Sequence, residues 1–444
     1  MTAPVGIHSE VGRLDTVIVH RPGRELGRLT PDNKDEMLFD EIPWPEGATA
    51  EHDALVAALR GRQVEVLYLT DLLATVMAVP AARKELIVAA CSQPGLGQGA
   101  ADALAGHLES LSDPDLLDAL IGGVAMDQLA GISDSSLTGR LSRPGDFVLA
   151  PLPNHLFMRD SSMWIRDRVV VATMAAPARQ REAAHMDIVY RFHPRFNARL
   201  ERPAASVDPD GDATGGAAPA GISEPAPGGT DLAATAAPGP SGSPDGPLEG
   251  GDVLVAGPGV LLVGIGARTY PAAVERLARA MFADDRGGRA SPPIREVVAV
   301  ELPHERAVIH LDTVMTMVDH DVFTVYPPVI ASVRAFRLRP APSGLAVREE
   351  PDLASALAGA LGLGGVRFLP TGGDRLDQQR EQWSDANNVL ALAPGVVLAY
   401  DRNVATNELL SAAGVDVLTV PSSELGRGRG GPRCLTCPVN RQPV

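Results

Sequence analysis

Apolar and polar positions along the chain fall into a unit that recurs. It has two short alternating runs joined by a Gly, Pro or charged turn, then a stretch with apolar residues three and four apart, then a third short apolar run. One copy reads DVLVAGPGVLLVGIG, YPAAVERLARAMF and REVVAVEL, from Asp252 to Leu302. Another reads LDTVMTMVDHDVFTVYP, DLASALAGALG and VRFLP, and a third reads NVLALAPGVVLAYDRN, NELLSAAG and VDVLTV. The start of the chain fits as RLDTVIVHRP, HDALVAALRGR and VEVLYL, while SSMWIRDRVVVATM opens a fifth copy. Five units of strand, strand, helix, strand predict an α/β fold closed into a pseudo-fivefold, propeller-like ring. Hairpins and helices that merely alternate, without a ring, are the competing reading.

Two stretches break the pattern. Across 71–146 the apolar residues Leu72, Leu73, Val76, Leu104, Leu108, Leu111, Leu116, Leu117, Leu120 and Ile121 recur at helical spacing with no alternating run, which predicts an inserted helical bundle. Ser112 and Asp113 before Pro114 mark a helix start there. Residues 203–248 hold 9 Pro and 9 Gly among 46, six acidic residues, and no Lys, Arg or aromatic side chain. Such a segment buries too little apolar surface to offset its ordering entropy, so a disordered insertion is expected. The predicted organisation is therefore a first ring module at 1–70, the bundle at 71–146, a second module at 147–202, the insertion, and the remaining modules at 249–444.

At 444 residues, with 45% hydrophobic and 21% charged residues, the chain has the composition of a globular protein with a sizeable core. Aromatics are only 4%, so Leu, Val, Ile and Ala must carry the packing. A net charge of −16 argues against a surface that tracks nucleic-acid phosphates or anionic lipid, and suits a cationic small molecule better. The longest apolar stretch, Leu254 to Ala267, is interrupted by Gly and Pro and flanked by Asp252 and Arg268, too short for a membrane span. The opening MTAPVGIHSEVGRLD lacks the basic and apolar regions of a secretory signal, and three cysteines make no disulfide framework. A cytoplasmic protein is expected.

Candidate chemistry gathers at one place in the repeat. Acidic residues recur just before the first strand of each unit: Asp15, Asp160, Glu249 with Asp252, Asp312, and Asp385. In a ring these positions would converge on the axis and make an acidic pocket, although any one of them alone reads as a turn-capping Asp. In VIHLDTV, strand alternation would put His310 and Asp312 on one face, where a carboxylate could fix the imidazole tautomer. Gly250 and Gly251 in LEGGDVLV leave Glu249 open to a ligand.

Near the C-terminus, GRGRGGPRCLTCPV sets Cys434 after a glycine-rich loop and between arginines. A nucleophile, a redox pair with Cys437 and half of a zinc site are the three readings. Zinc lacks a second CxxC, and a thioredoxin-like pair lacks a following helix, since Pro438 intervenes and the chain stops at Val444. The nucleophile leads, with Cys437 structural and Cys91 a core thiol. A thiol, a histidine and several carboxylates suit a guanidinium, whose donor fork pairs with carboxylates while sulfur attacks its central carbon.

LPNHLFMRD, EGGD, HLDT, NVLALAPGVVLAYDRN and GRGRGGPRCLTCP, in this order, resemble the bacterial arginine deiminases of the guanidine-modifying (pentein) superfamily. The opening GIHSEVGRLDTVIVHRPGRELGRLTP and MLFDEIPW are similar too, so the resemblance covers nearly all of the chain outside 203–248. It implies a five-module α/β propeller with an inserted helical bundle, hydrolysis of L-arginine to L-citrulline and ammonia, and no metal or organic cofactor. It implies Cys434 as the nucleophile of a covalent thiouronium, His310 as acid and base, Asp160 and Asp312 on the guanidinium, and Glu249 between substrate and His310. Asn154, Arg179 and Arg268 would clamp the α-carboxylate, Phe157 would wall the substrate stem, and Gly428 and Arg429 would belong to a mobile loop over the entrance. Agmatine, which lacks the carboxylate, would then be excluded.

Two departures stand out: the acidic insertion directly before EGGD, and Arg433 where some relatives carry histidine. The expected partner is free L-arginine, with no nucleic acid and no membrane, in a homo-oligomer whose order the sequence does not give. The rivals are a methylarginine hydrolase, an amidinotransferase, a non-catalytic arginine-binding relative and a thiol redox protein.

Overall fold

A computed structural model of the chain describes residues 5–93, 95–129, 136–143, 145–196, 245–283 and 292–444. Four sheets share one plan. In two of them, antiparallel Met315–Asp319 and Val322–Val325 take Arg367–Pro370 as a parallel third strand, and Leu390–Ala393 and Val396–Tyr400 take Asp416–Val420. Val253–Gly257 and Val260–Ile265 likewise take Glu296–Glu301. Helices Pro271–Ala283, Leu353–Leu361 and Val404–Ala412 make the parallel returns, as a third strand parallel to its neighbour requires a crossover. The fourth sheet joins the two ends of the chain. Leu14–Val19 runs parallel to Glu65–Tyr68 on one side and antiparallel to Cys437–Arg441 on the other. Ser162–Ile165 and Arg168–Val171 form a hairpin whose sheet has no third strand among the described residues.

The sequence reading missed one element. A hairpin, Ala335–Ala341 with Gly344–Glu350, docks on the edge of Glu296–Glu301 and widens that sheet to five strands. Its outer strand is largely exposed, so the apolar residues that announce a strand elsewhere are sparse in GLAVREE.

Helices Leu69–Met77, Pro80–Cys91, Gln98–Ser110 and Asp113–Gly122 follow the first sheet and pack with Gln180–Phe192 around Leu73, Leu86, Leu104, Leu108 and Leu120. Ser112 caps the last of the four, its Oγ accepting from the Asp115 N–H at 3.4 Å. The expectation of disorder at 203–248 falls outside the described residues as far as 244. From 245 the chain is engaged: Asp245 pairs with Arg276 at 3.0 Å, and buried Leu248 exchanges two backbone hydrogen bonds with Thr173. Residues 245–248, which the composition assigns to the insertion, are therefore held by the fold just before Glu249.

Candidate active site

Each acidic or thiol-binding residue of the site precedes the first strand of a hairpin. Asp160 lies in the helical turn Met158–Ser161 before Ser162–Ile165, and Glu249 opens the turn Gly250–Asp252 before Val253–Gly257. His310 opens the turn Leu311–Thr313, and Asn388 leads into Leu390–Ala393. The turn Gly250–Asp252 touches both Met158–Ser161 and Leu311–Thr313, so residues far apart in sequence share one interior. Gly251 permits the approach, since a Cβ there would lie 2.6 Å from the His310 ring.

His310 donates from Nε2 to Glu249 Oε2 at 2.8 Å, and its Nδ1 is 3.7 Å from Asp160 Oδ1. Burial opposes a charge on the imidazole, but Asp160, the Glu249 hydrogen bond and Asp252 outweigh it and hold His310 up to about 9. Glu249 is fully buried. Burial works against its charge as well, yet Arg268, His310 and Arg179 bring it down to about 2. The Ala175 N–H donates to Glu249 Oε1 at 2.8 Å, and Arg268 Nη1 is 3.5 Å from the same oxygen.

Cys434 lies in the loop between the turn Leu425–Gly428 and the strand Cys437–Arg441. Asn388 grips it twice: Nδ2 donates to Sγ at 3.0 Å, and Oδ1 accepts from the Cys434 N–H at 3.0 Å. Sγ is 3.6 Å from Asp312 Oδ2. Burial, followed by Asp312, Asp160 and Asp385, pushes the thiol well above its ordinary range despite the opposing pull of Arg433.

Asp160 and Asp312 are treated alike. Arg179 Nη1 donates to Asp160 Oδ2 at 2.6 Å, and Arg433 Nη1 donates to Asp312 Oδ2 at 2.6 Å. In both residues the other oxygen, Oδ1, is buried and has no hydrogen-bond partner among the described residues. The two arginines are anchored from behind. Arg179 binds Glu182 at 2.8 and 3.0 Å, while Arg433 binds Glu10 at 3.2 Å and the Val253 carbonyl at 2.9 Å.

These groups surround a tight cavity with about 20 Å³ of free space, lined by Asn154, Phe157, Asp160, Arg179, Arg268, His310, Gly428, Arg429 and Cys434, and also by Leu38, Arg306, Ile309 and Thr313. Asn154 Nδ2 donates to the Met37 carbonyl at 2.7 Å, and Phe157 lies 6.2 Å from Phe39, ring to ring. Glu249 and Asp312 do not line the cavity; they stand one layer behind, through His310 and beside Cys434. Asp160, Glu249 and His310 each offer a ligand atom within 4.8 Å of the others. Both carboxylates already face guanidinium groups and the imidazole is proton-bonded to Glu249, so the cluster suits proton exchange better than a cation.

Two expectations differ from the structure. His310 and Asp312 do not share a strand face, because the chain makes a single turn of 3-10 helix at Leu311–Thr313 and the strand begins only at Met315. Asp312 therefore turns toward Arg433 and Cys434 while His310 turns toward Glu249 and Asp160. Asp15 does not join the site; it binds Asn440 and Gln442, both at 3.1 Å. Arg179, expected at the substrate carboxylate, lines the cavity and also holds Asp160. The sequence reading also passed over Asn388, although it stands first in the NVLALAPGVVLAYDRN run.

By fold the chain is a mixed α/β protein. It superposes on SxtG, an amidinotransferase from Microseira wollei, with a TM-score of 0.54 at 14% identity over 100% of this chain and 99% of that one. It superposes on a mutant of AgrE in binary complex with L-arginine with a TM-score of 0.50 at 12% identity, over 97% of this chain and 41% of that one. At these identities the likeness concerns the fold alone. The family model for arginine deiminase matches residues 35–210 and 238–441. Named arginine deiminases from Rhodococcus opacus and Mycobacterium tuberculosis are 45% identical over 445 residues and 43% over 447, covering all of this chain and 99% and 100% of theirs. The chain belongs to the arginine deiminase family.

Proposed function

We propose that the protein hydrolyses free L-arginine to L-citrulline and ammonia through a covalent adduct on Cys434. The observation that carries this reading is that Cys434, His310 and Asp160 line one cavity, where Asp160 keeps one oxygen on Arg179 and the other without a hydrogen bond among the described residues, while Asp312, likewise half-satisfied, stands behind the thiol. A guanidinium offers flat paired donors for such oxygens. Its positive charge also opposes the Asp312 and Asp160 carboxylates that hold the thiol proton on, so substrate binding favours the thiolate.

The thiol proton passes to bulk water as the guanidinium binds, where it is balanced by the ammonia released as ammonium, and sulfur forms its bond to the central carbon as that carbon's double bond to nitrogen opens. His310 gives its proton to the nitrogen that leaves as ammonia, and the imidazole becomes neutral. Neutral His310 then takes a proton from water as the oxygen bonds to the same carbon. The carbon–sulfur bond breaks to give the ureido group of citrulline, and the second water proton restores the thiol. Glu249 holds His310 in place through Nε2, and Arg268 with Asn154 is assigned to the substrate carboxylate. Arg179 is assigned to the same clamp and, before that, to orienting Asp160. The cavity has room for little more than a water molecule, so entry of arginine requires the Gly428–Arg429 loop to move. We further infer that the strand, strand, helix, strand units close as a five-module ring with the helices after residue 68 as an insertion, and that the protein acts in the cytoplasm as a homo-oligomer. Junction of the first and last strands supports the ring, and no helix is long and apolar enough to cross a membrane among the described residues.

Citrulline release from arginine by the intact protein tests the reading. Cys434→Ala is expected to abolish it. Cys437→Ala is expected to keep most of it, because that thiol packs on strand Cys437–Arg441 against Ser162 and Tyr190 rather than in the cavity. Equal loss in both variants would favour redox chemistry, and no turnover by the intact protein would favour a binding role.

A further inference from the structure

A buried carboxyl group and a buried guanidinium, the latter lining the cavity, are left without each other. Asp385 is 1% exposed, stands in left-handed backbone at φ +63°, and neither carboxylate oxygen has a hydrogen-bond partner among the described residues. Arg429 is 5% exposed, also at φ +63°, and its Nε and Nη1 are likewise without partners among the described residues. What holds the guanidinium now is weak: it stacks 3.6 Å from the centre of the Trp383 ring, and Nη2 reaches the Ala307 carbonyl at 3.4 Å. After burial, Arg429 is the largest influence on Asp385, and Asp385 the largest on Arg429, yet the two form no ion pair. Unmatched buried charges are costly, and a pairing that relieves both at once is favourable.

The loop can make that move. Gly426, Gly428, Gly430 and Gly431 surround Arg429, and glycine tolerates the backbone changes a swing requires. Position gives the move a consequence. Arg429 lines the inner cavity with Cys434 and His310, and it also lines an outer polar groove with Trp383, Arg402 and Arg427, so its side chain is part of the partition between them.

Resting on the arginine-hydrolase reading, we propose that Asp385 is the positioning residue for substrate admission: it receives the Arg429 guanidinium when that group leaves Trp383, and so holds the partition open. Asp385 touches neither substrate nor sulfur and acts through Arg429.

Steady-state kinetics of Asp385→Asn, Arg429→Ala and the double variant test this. Asp385→Asn is expected to raise KM for arginine about tenfold and change kcat by less than about threefold, because the admitting conformation becomes scarcer. In the Arg429→Ala background the same substitution is expected to change KM by less than about twofold, since its partner is gone. An equal KM increase in both backgrounds overturns the proposal, as does an unchanged KM in an Asp385→Asn variant that melts like the parent. Should Asp385→Asn fail to fold, tryptophan emission of Cys434→Ala is followed during arginine titration. A change that disappears when Trp383→Phe is added supports the swing. No change, or one that persists without Trp383, overturns it. Failure of the arginine-hydrolase reading itself shows separately, as absence of citrulline from the unaltered protein.

Discussion

His310 and Glu249 bind one proton between them, and each sets the other's titration. The folded state holds the His310 proton more tightly than an unfolded chain, with the group raised from 6.5 to about 9. The stability this contributes is full below about 6.5 and is lost as pH rises through about 9. Glu249 is lowered from 4.5 to about 2, so its contribution is present above about 4.5 and is lost as pH falls through about 2. The melting-temperature gap between the parent and His310→Asn should therefore narrow from about pH 6.5 to about pH 9, and kcat should fall above about pH 9 as the acid is lost. A gap that widens over that range would contradict the assignment. Asn388 makes a sharper demand, since both its amide atoms are committed to Cys434. Asn388→Ala should lower kcat by roughly 10²-fold, the size expected when a reacting atom is misplaced, with KM little changed. Chemistry at this scale was legible where the residue type is itself reactive: Cys434, His310, Glu249, Asp160 and Asp312 all come together. Asn388 was not legible, because an amide beside a thiol has no signature until the loop carrying Cys434 is folded against it.

Short turns before hairpins are the elements that build the site, and their geometry is finer than hydrophobic periodicity resolves. Alternation correctly places a strand at Met315–Asp319 but extends it back over His310, where a 3-10 turn intervenes and sends the two side chains in different directions. The outer hairpin at Ala335–Glu350 escaped for the opposite reason, since it is half in solvent and carries little apolar pattern. Within the turns, Gly251 is the glycine whose added side chain would press directly on the imidazole. A methyl group there would meet the His310 ring at 2.6 Å and drive it off Glu249. Gly251→Ala should lower kcat by roughly 10²-fold while the protein still folds; a kcat within about twofold of the parent would mean that the imidazole tolerates displacement.

At the scale of the whole chain, the first and last strands lie side by side, and backbone bonds from Gly6 and Arg441 tie the ends together. Cys434 stands only three residues before that closing strand, so the nucleophile is delivered by the same contact that joins the termini. That arrangement was legible only as a repeat, because pairing between strands more than 400 residues apart leaves no local mark. Residues 203–240 belong to none of the described elements, and the family model passes over 211–237. A chain lacking 203–240 but keeping Asp245 and Leu248 should fold and retain activity; insoluble protein would contradict this. The most direct test of the central claim is rapid-quench mass spectrometry of the protein mixed with arginine. The account predicts transient added mass equal to arginine less ammonia, fragmenting to Cys434 and not Cys437. Citrulline formation with Cys434 unmodified at every quench time, together with a Cys434→Ala variant that still turns over, would contradict it.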